Sequence, residues 1–271
     1  MEGIEYSNFE KETLKAIKHC TGRVRQCCEN AIKHLEKACI LEGFDNEMAV
    51  FRGITAEEEA ATALILCLKN HRYRNAEKLD FKKHLVKLGG SQFLEHLRKQ
   101  LFSYLKVQDF PAELARLYFT EVNGRPALGL KLKLKNTGFD IIPKPPLNFS
   151  SFEKSSGQHI KYDATFKRFW AENDIDNALK YLKSIANERN KLLYADSSGK
   201  PCVEGHVDEY IVSQKDKVFR FLYLILLIDP WEKKEGKSKF VQQALDSYLL
   251  LLEKIDAHEC AEMHQNLGSL T

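Results

Sequence analysis

No long hydrophobic run is present in this chain of 271 residues. The longest uninterrupted apolar stretch is the eight residues from Phe221 to Ile228, whereas a helix that spans a bilayer needs roughly 20 residues. Residues 1–9 also lack the basic-then-apolar order of a secretory signal peptide. We therefore expect a soluble, cytoplasmic protein that does not bind a membrane.

The sequence also lacks the short motifs that mark several common catalytic sites. It contains no Gly-x-Ser-x-Gly, no Gly-x-x-x-x-Gly-Lys, no Gly-x-Gly-x-x-Gly and no His-Glu-x-x-His. Its seven cysteines form no Cys-x-x-Cys pair, and no spacing of histidine and cysteine is typical of a zinc site. We therefore expect reduced thiols, no bound metal and no cofactor.

Charge of one sign is not in excess overall, but the basic residues are unevenly distributed. Lys and Arg number 41 and Asp and Glu 38, which gives a net charge of +3. Residues 69–106 hold ten Lys or Arg against three acids. Such a stretch can attract phosphate backbones, or it can be the solvated face of a helix. The candidate nucleic-acid-binding residues are Lys82, Lys83, Arg98 and Lys99.

Apolar residues that recur every three or four positions predict a mainly α-helical protein. The predicted helices cover residues 8–41, about 55–70, 91–105 (after the Gly89-Gly90 pair), 174–194, 207–228 and 240–255. Gly43 is expected to stop the first of these helices, and Asp229-Pro230 is expected to end the fifth. The tail after His258 is expected to fray.

The second predicted helix begins with an acidic segment. Thr55-x-x-Glu58 has the form of a capping box, which would place Glu57 and Glu58 in the first turn, where the helix dipole favours negative charge. Residues 60–68 are apolar on nearly every side, which is typical of a helix buried in a bundle. We expect one of the glutamates at 57–59 to be carried inward with this helix.

Residues 107–165 have a different pattern, with two extended runs joined through Asn123-Gly124, a strong hairpin signal. A row of lysines on the second run is interpreted as the solvated side of an edge strand, or else as a contact to nucleic acid. The proline-rich residues 142–146 are expected to be extended. We predict a β-hairpin-containing insertion at residues 107–165, within a helical bundle formed by residues 1–106 and 166–271.

Arg189 continues the apolar stripe of the fourth predicted helix. Because a guanidinium keeps its proton, an inward-facing arginine needs a carboxylate, a phosphate or a set of carbonyls. Asn190 follows directly, and Tyr194 lies one turn later on the same face. A buried ion pair with Glu57 or Glu58 would explain Arg189 without any function, and such an acid would also orient an arginine that binds phosphate.

The segment Asn187-Glu188-Arg189-Asn190-Lys191-Leu192-Leu193-Tyr194 resembles the signature of HEPN domains, and the order of the predicted helices is similar. Ala56-Glu57-Glu58-Glu59-Ala60-Ala61 resembles the second helix of abortive-infection members of that family. The resemblance implies a bundle of four or five helices, with its core at about residues 8–70 and 166–228. The family hallmark is Arg-x(4–6)-His, and here Tyr194, Ala195 and Asp196 stand at the three histidine positions. The histidine is therefore missing.

Many HEPN proteins are metal-independent ribonucleases of toxin–antitoxin and phage-defence systems, in which two motifs meet across a dimer interface. The resemblance implies that Arg189 holds a phosphate, that Asn190 fixes the geometry and that Tyr194 replaces the histidine that moves a proton. The resemblance further implies a homodimer that binds RNA or nucleotide phosphate. Because a phenol with an ordinary pKa of about 10 stays protonated at neutral pH, we expect it to cleave RNA weakly or not at all. The alternative is a non-catalytic scaffold whose hairpin binds a protein partner by strand addition.

Overall fold

The computed structural model describes residues 4–107, 115–133, 139–148, 192, 203, 205–231 and 238–268. These residues contain six α-helices and one small antiparallel sheet, so the protein is mainly helical, as the sequence predicts. The helices are α1 (Asn8–Ile17), α2 (Gly22–Leu41), α3 (Asn46–Asn70), α4 (His84–Val107), α5 (Val207–Ile228) and α6 (Lys239–Gly268). The strands are β1 (Ala115–Val122), β2 (Arg125–Lys133) and β3 (Asp140–Ile141).

The predicted single helix at residues 8–41 is wrong, because the chain turns between α1 and α2. Gly22 has a φ of +56°, a left-handed conformation that an α-helix interior does not accommodate. α1 has its own capping box, in which Ser7 and Glu10 each donate a backbone N–H to the other's side chain. The predicted stop is confirmed, since α2 ends at Leu41 and Gly43 has a φ of +74°.

The predicted start of the second helix is also wrong, because α3 begins nine residues before Thr55, at Asn46. The Asp45 side chain caps it by accepting a hydrogen bond of 3.0 Å from the backbone N–H of Met48. Thr55 lies in the middle of α3, where its hydroxyl donates to the Phe51 carbonyl one turn earlier. Glu57 and Glu58 are therefore interior residues of a long helix and not first-turn acids.

Two other helix boundaries differ from the prediction, and one agrees. α4 continues through Gly89-Gly90 without a break, because Gly90 faces the Phe221 ring in a packed interior. α6 extends to Gly268 instead of ending near residue 255. α5 covers Val207–Ile228, as predicted, and ends directly before Asp229.

Helix α3 is central to the bundle and contacts α2, α4 and α5. Its alanine-rich stretch allows the neighbouring helices to approach, and the large buried side chains come mainly from α5, such as Phe219, Phe221 and Ile225. An apolar cavity of about 90 Å³ lies among α3, α4, α5 and α6. No helix among the described residues is both long enough and apolar enough to cross a membrane.

The predicted hairpin is confirmed. β1 pairs with β2 in antiparallel register, and the connecting Asn123 and Gly124 have φ values of +52° and +73°, as a type I′ turn requires. β2 pairs with β3 on its other side, so among the described strands it is central and the edge-strand interpretation of its lysines is wrong. Lys131 instead lies 2.6 Å from Asp140 of β3.

The sheet is docked on the helices through its inner face. Leu128 of β2 is fully buried, and its carbonyl accepts a hydrogen bond of 3.1 Å from the indole of Trp231. The rings of Phe119 and Phe9 lie 4.8 Å apart between β1 and α1. The proline-rich segment is not wholly extended, because the chain turns where Asn148 donates to the carbonyl of Pro145.

Candidate functional site

The three residues predicted to carry out catalysis, Arg189, Asn190 and Tyr194, lie outside the described residues. Their roles stay predictions. The two acids predicted to orient the arginine, Glu57 and Glu58, lie in α3, and both are buried. The sequence prediction that an acid of this segment is carried inward is therefore confirmed.

Each of the two buried acids meets a cation that comes from another helix. The carboxylate of Glu58 accepts hydrogen bonds of 2.6 Å from His84 and 2.8 Å from Lys87, both on α4. Glu57 accepts a bond of 3.2 Å from Lys217 on α5. A buried carboxylate is costly unless it is paired and hydrogen-bonded, and these contacts meet that requirement. Sequence reasoning missed all three partners, because their separations from α3 along the chain give no periodic signal.

The predicted nucleic-acid-binding residues do not form one cluster. Lys82 and Lys83 are exposed directly before α4. Arg98 lies fourteen residues after His84, the first residue of α4, which is roughly 21 Å along the helix axis. Lys99 also belongs to α4.

Several cations of the basic stretch bind other parts of the protein. Two nitrogens of Arg98 donate to the carboxylate of Glu95, at 2.8 and 3.1 Å. Arg74 forms an ion pair of 2.9 Å with Asp246 of α6, and Lys87 is committed to Glu58 as described. The positive charge available to an external anion is therefore smaller than the sequence count suggests.

A second group of ionisable side chains meets where α3, α5 and the hairpin converge. We call it the Asp229 cluster, and it comprises Cys20, Cys67, His71, Arg125 and Asp229. Asp229 directly follows α5, His71 directly follows α3, and Arg125 is the first residue of β2. The ring Nε2 of His71 lies 3.4 Å from Oδ1 of Asp229, and Nη2 of Arg125 lies 2.5 Å from Oδ2.

The surroundings of the Asp229 cluster favour a charged carboxylate and neutral thiols. Burial alone would raise the pKa of Asp229, but the hydrogen bonds from His71 and Arg125 outweigh it and hold that pKa below its ordinary value. Burial, together with the Asp229 charge, raises the pKa of the Cys20 thiol to about 12. Burial raises the pKa of Cys67 well above its ordinary range. The described cysteines are all free thiols, in agreement with the sequence prediction.

Three members of the cluster have the chemistry and the spacing of metal ligands. One ligand atom from each of Cys67, His71 and Asp229 lies within 4.8 Å of the other two. Sequence analysis anticipated no metal site and missed this group, because Asp229 is 158 residues from His71 along the chain. The signal that could have found part of it is the Cys67-x-x-x-His71 spacing, which places two donors on one helix face.

Comparisons with models of protein families, with curated proteins and with solved structures find no match to this chain. The resemblance to HEPN domains therefore depends on the motif around Arg189 and on the order of the helices. The described residues form a mainly helical bundle, and its central helix carries two buried acids, Glu57 and Glu58.

Proposed function

We propose that this protein is a HEPN-like RNA-binding protein that holds an RNA or nucleotide phosphate with Arg189. In this proposal Asn190 fixes the geometry of the bound phosphate, and Tyr194 takes the place of the usual histidine. The protein acts as a homodimer, so that two motifs face one strand of RNA. Any cleavage is metal-independent and slow.

The observation that supports this proposal is the burial of Glu57 and Glu58 on the central helix of a mainly helical bundle, where an acid can orient an arginine that also binds phosphate. The rival explanation gives Arg189 a structural ion pair with Glu57 or Glu58. Glu57 already meets Lys217, and Glu58 already meets both His84 and Lys87. α4 and α5 therefore each supply a cation to the buried acids of α3. The proposal assigns the Arg189 guanidinium to an anion from outside the protein, and the binding test below separates this assignment from a structural ion pair.

The chemistry of the motif suits a phosphodiester. A guanidinium presents parallel N–H donors that match two phosphate oxygens. A protonated phenol at Tyr194 can donate a proton to the leaving oxygen or stack on an unpaired base. It is a poor base for removing the proton of the 2′-hydroxyl at neutral pH, which is why binding is expected to exceed cleavage.

Binding is tested with a fluorescent single-stranded RNA across a salt series. We expect the affinity to fall steeply with salt, Arg189→Ala to weaken binding by tenfold or more, and Arg189→Lys to weaken it less. Arg25→Ala is the matched control, because Arg25 is an exposed arginine of α2 whose nearest acid is 3.6 Å away. Equal affinities for Arg189→Ala and the wild type would overturn the proposal.

Cleavage is tested separately, in the presence of EDTA, with total RNA as substrate. Tyr194→His restores an Arg-x(4)-His spacing, and we expect it to cleave faster than the wild type. Arg189→Ala in the same background should abolish the activity. If Tyr194→His binds RNA but does not cleave it, the ribonuclease part of the proposal is wrong and the binding part stands.

The alternative function, a protein-interaction scaffold, has one observation of its own. Among the described strands β1 is paired only with β2, so its other edge is a possible site for strand addition. Arg189 would then be structural. In that case Arg189→Ala would lower the melting temperature strongly, and the folded variant would bind RNA as the wild type does. The RNA-binding proposal expects weaker RNA binding instead.

A further inference from the structure

We propose that Cys67, His71 and Asp229 bind a zinc ion that ties the end of α3 to the end of α5. The site uses none of the residues of the Arg189 motif, and its role is structural. The ligand atoms indicate which metal ion binds, since a thiolate, an imidazole and a carboxylate together suit a borderline-soft divalent ion such as Zn²⁺.

Two of the donors are held in register by the helix itself. The backbone N–H of His71 donates to the carbonyl of Cys67 at 3.0 Å, so helical geometry continues through His71. Side chains four residues apart on a helix lie on one face, one turn from each other. Zinc-binding histidine pairs use the same spacing. A single helix end therefore presents sulfur and nitrogen in the same direction.

The third donor lies at the separation that a shared ion requires. A Zn–N bond of about 2.0–2.1 Å and a Zn–O bond of about 2.0–2.2 Å, at a tetrahedral angle, place the two ligand atoms roughly 3.4 Å apart. The distance between His71 Nε2 and Asp229 Oδ1 is 3.4 Å. This is longer than the usual N–H···O hydrogen bond of about 2.7–3.2 Å, and the same separation suits two ligands of one ion.

Arg125 has the position of a supporting residue behind the ligands. It contacts Oδ2 of Asp229 and leaves Oδ1 directed towards His71. The same guanidinium donates to the carbonyl of His19, which fixes its orientation. Ligating carboxylates commonly have their second oxygen hydrogen-bonded in this way, and the contact orients the first oxygen towards the metal.

Cys20 is the candidate for the fourth ligand. Its thiol is buried and interacts with Asp229. It lies outside the group whose ligand atoms are within 4.8 Å of one another, so it has to move towards Cys67 and His71 to bind the ion. With both cysteines as thiolates, the charges of the two sulfurs, the carboxylate, the zinc ion and the Arg125 guanidinium sum to zero. The two thiol protons are released to solvent when the ion binds. The ion would then also hold the connection between α1 and α2.

The inference is tested first on the unmodified protein. Full-length protein, reduced and stripped with a chelator, is titrated with Zn²⁺ and with Co²⁺. We expect one ion per chain, a thiolate-to-cobalt charge-transfer band, and a melting temperature roughly 5–10 °C higher when free Zn²⁺ is a hundredfold above its dissociation constant. The absence of any bound ion, or cobalt bound without a sulfur band, would overturn the inference.

Variants then locate the ion. Cys67→Ser, His71→Gln and Asp229→Asn should each weaken Zn²⁺ binding by at least tenfold, and Cys20→Ser should weaken it or change the cobalt spectrum. Cys27→Ala is the matched control, because Cys27 is a buried cysteine of α2 outside the group, and it should bind as the wild type does.

Folding is checked by circular dichroism before each titration. If Cys67→Ser does not fold, the zinc affinity of Asp229→Asn, which preserves the shape of the side chain, decides whether the site is correctly placed. Zinc affinity that is unchanged in the folded variants places the ion elsewhere in the chain and overturns the inference.

Discussion

The Nζ atom of Lys87 lies 2.8 Å from Oε2 of Glu58, with the two side chains 12% and 5% exposed. This pair joins α4 to the central helix α3 inside the bundle. Breaking a buried ion pair from one side leaves a charge that neither water nor a partner compensates. The pair therefore matters for stability mainly because removing Lys87 would leave the buried Glu58 carboxylate without that partner.

Lys87→Met should lower the free energy of unfolding by about 3 kcal/mol, the lower end of the range for such pairs, because His84 still contacts Glu58. Urea denaturation measures the change. Arg98→Met is the control, since the side chain of Arg98 is 51% exposed and its loss should cost at most about 1 kcal/mol. Equal losses in the two variants would contradict the buried-pair account.

Two helical glycines should respond to alanine with opposite signs. A Cβ at Gly90 would lie 3.6 Å from the Phe221 ring, an ordinary contact, and Gly90→Ala should stabilise α4 by about 1 kcal/mol. A Cβ at Gly53 would lie 2.9 Å from the Tyr210 ring and 3.2 Å from Gln214. The resulting overpacking should exceed the helix gain and cost about 1 kcal/mol net.

Thermal and urea denaturation of the two glycine variants provide the comparison. Each variant serves as the control for the other, because both add the same methyl group to a helix interior. Stabilisation by Gly53→Ala would show that the Tyr210 ring moves aside without cost. Destabilisation by Gly90→Ala would show that the space beside Phe221 is smaller than the structure indicates.

The stability of the protein should fall as the pH falls from 6.5 to 4, in part because of His34. Burial, followed by the charges of Arg52, Lys37 and Lys33, lowers the pKa of His34 from 6.5 to about 4. Between these values the unfolded chain binds the proton and the folded protein does not, so acidification favours unfolding. Arg52 donates to Nδ1 of the neutral ring at 3.2 Å.

His34→Gln should therefore flatten the pH dependence of the unfolding free energy over that interval. The measurement is urea denaturation at half-unit steps of pH for both proteins. His19→Gln, at an exposed position, is the matched control. A His34→Gln profile parallel to that of the wild type would contradict the prediction.

Gly124→Ala should destabilise the hairpin by about 1 kcal/mol through the backbone alone. Gly124 has a φ of +73°, and a Cβ there would meet no atom within 4 Å, so the cost comes from the left-handed conformation and not from a clash. Asn123→Gly, at a φ of +52°, should be neutral within a few tenths of a kcal/mol. Hydrogen exchange of the β1 and β2 amides would locate the effect.

The elements that the sequence predicted well are those bounded by residues with strong local conformational preferences. Asn123-Gly124 specifies a tight turn by conformation, and Pro230 has no backbone N–H with which to continue the helix. The hairpin and α5 were therefore placed correctly. The start of α3 was misplaced because Thr55-x-x-Glu58 is a short pattern that also occurs inside helices, whereas the real cap is Asp45.

The composition of the candidate sites was harder to predict, because it depends on contacts between distant parts of the chain. Nothing near Glu58 in the sequence indicates that Lys87 binds it. The Asp229 cluster combines residues from four separate segments, and only the Cys67–His71 spacing is a local signal. Sequence periodicity predicts which face of a helix is buried but not which ionisable group from another helix meets it.

The hydrogen bond from the Trp231 indole to the Leu128 carbonyl makes this side chain a natural optical reporter. The sequence has only two tryptophans, so replacing Trp170 by Phe leaves a single emitter, positioned where the sheet meets the end of α5. Undocking of the sheet would hydrate the indole and shift its emission to longer wavelength. Fluorescence would then follow detachment of the sheet, while far-ultraviolet circular dichroism follows loss of the helices.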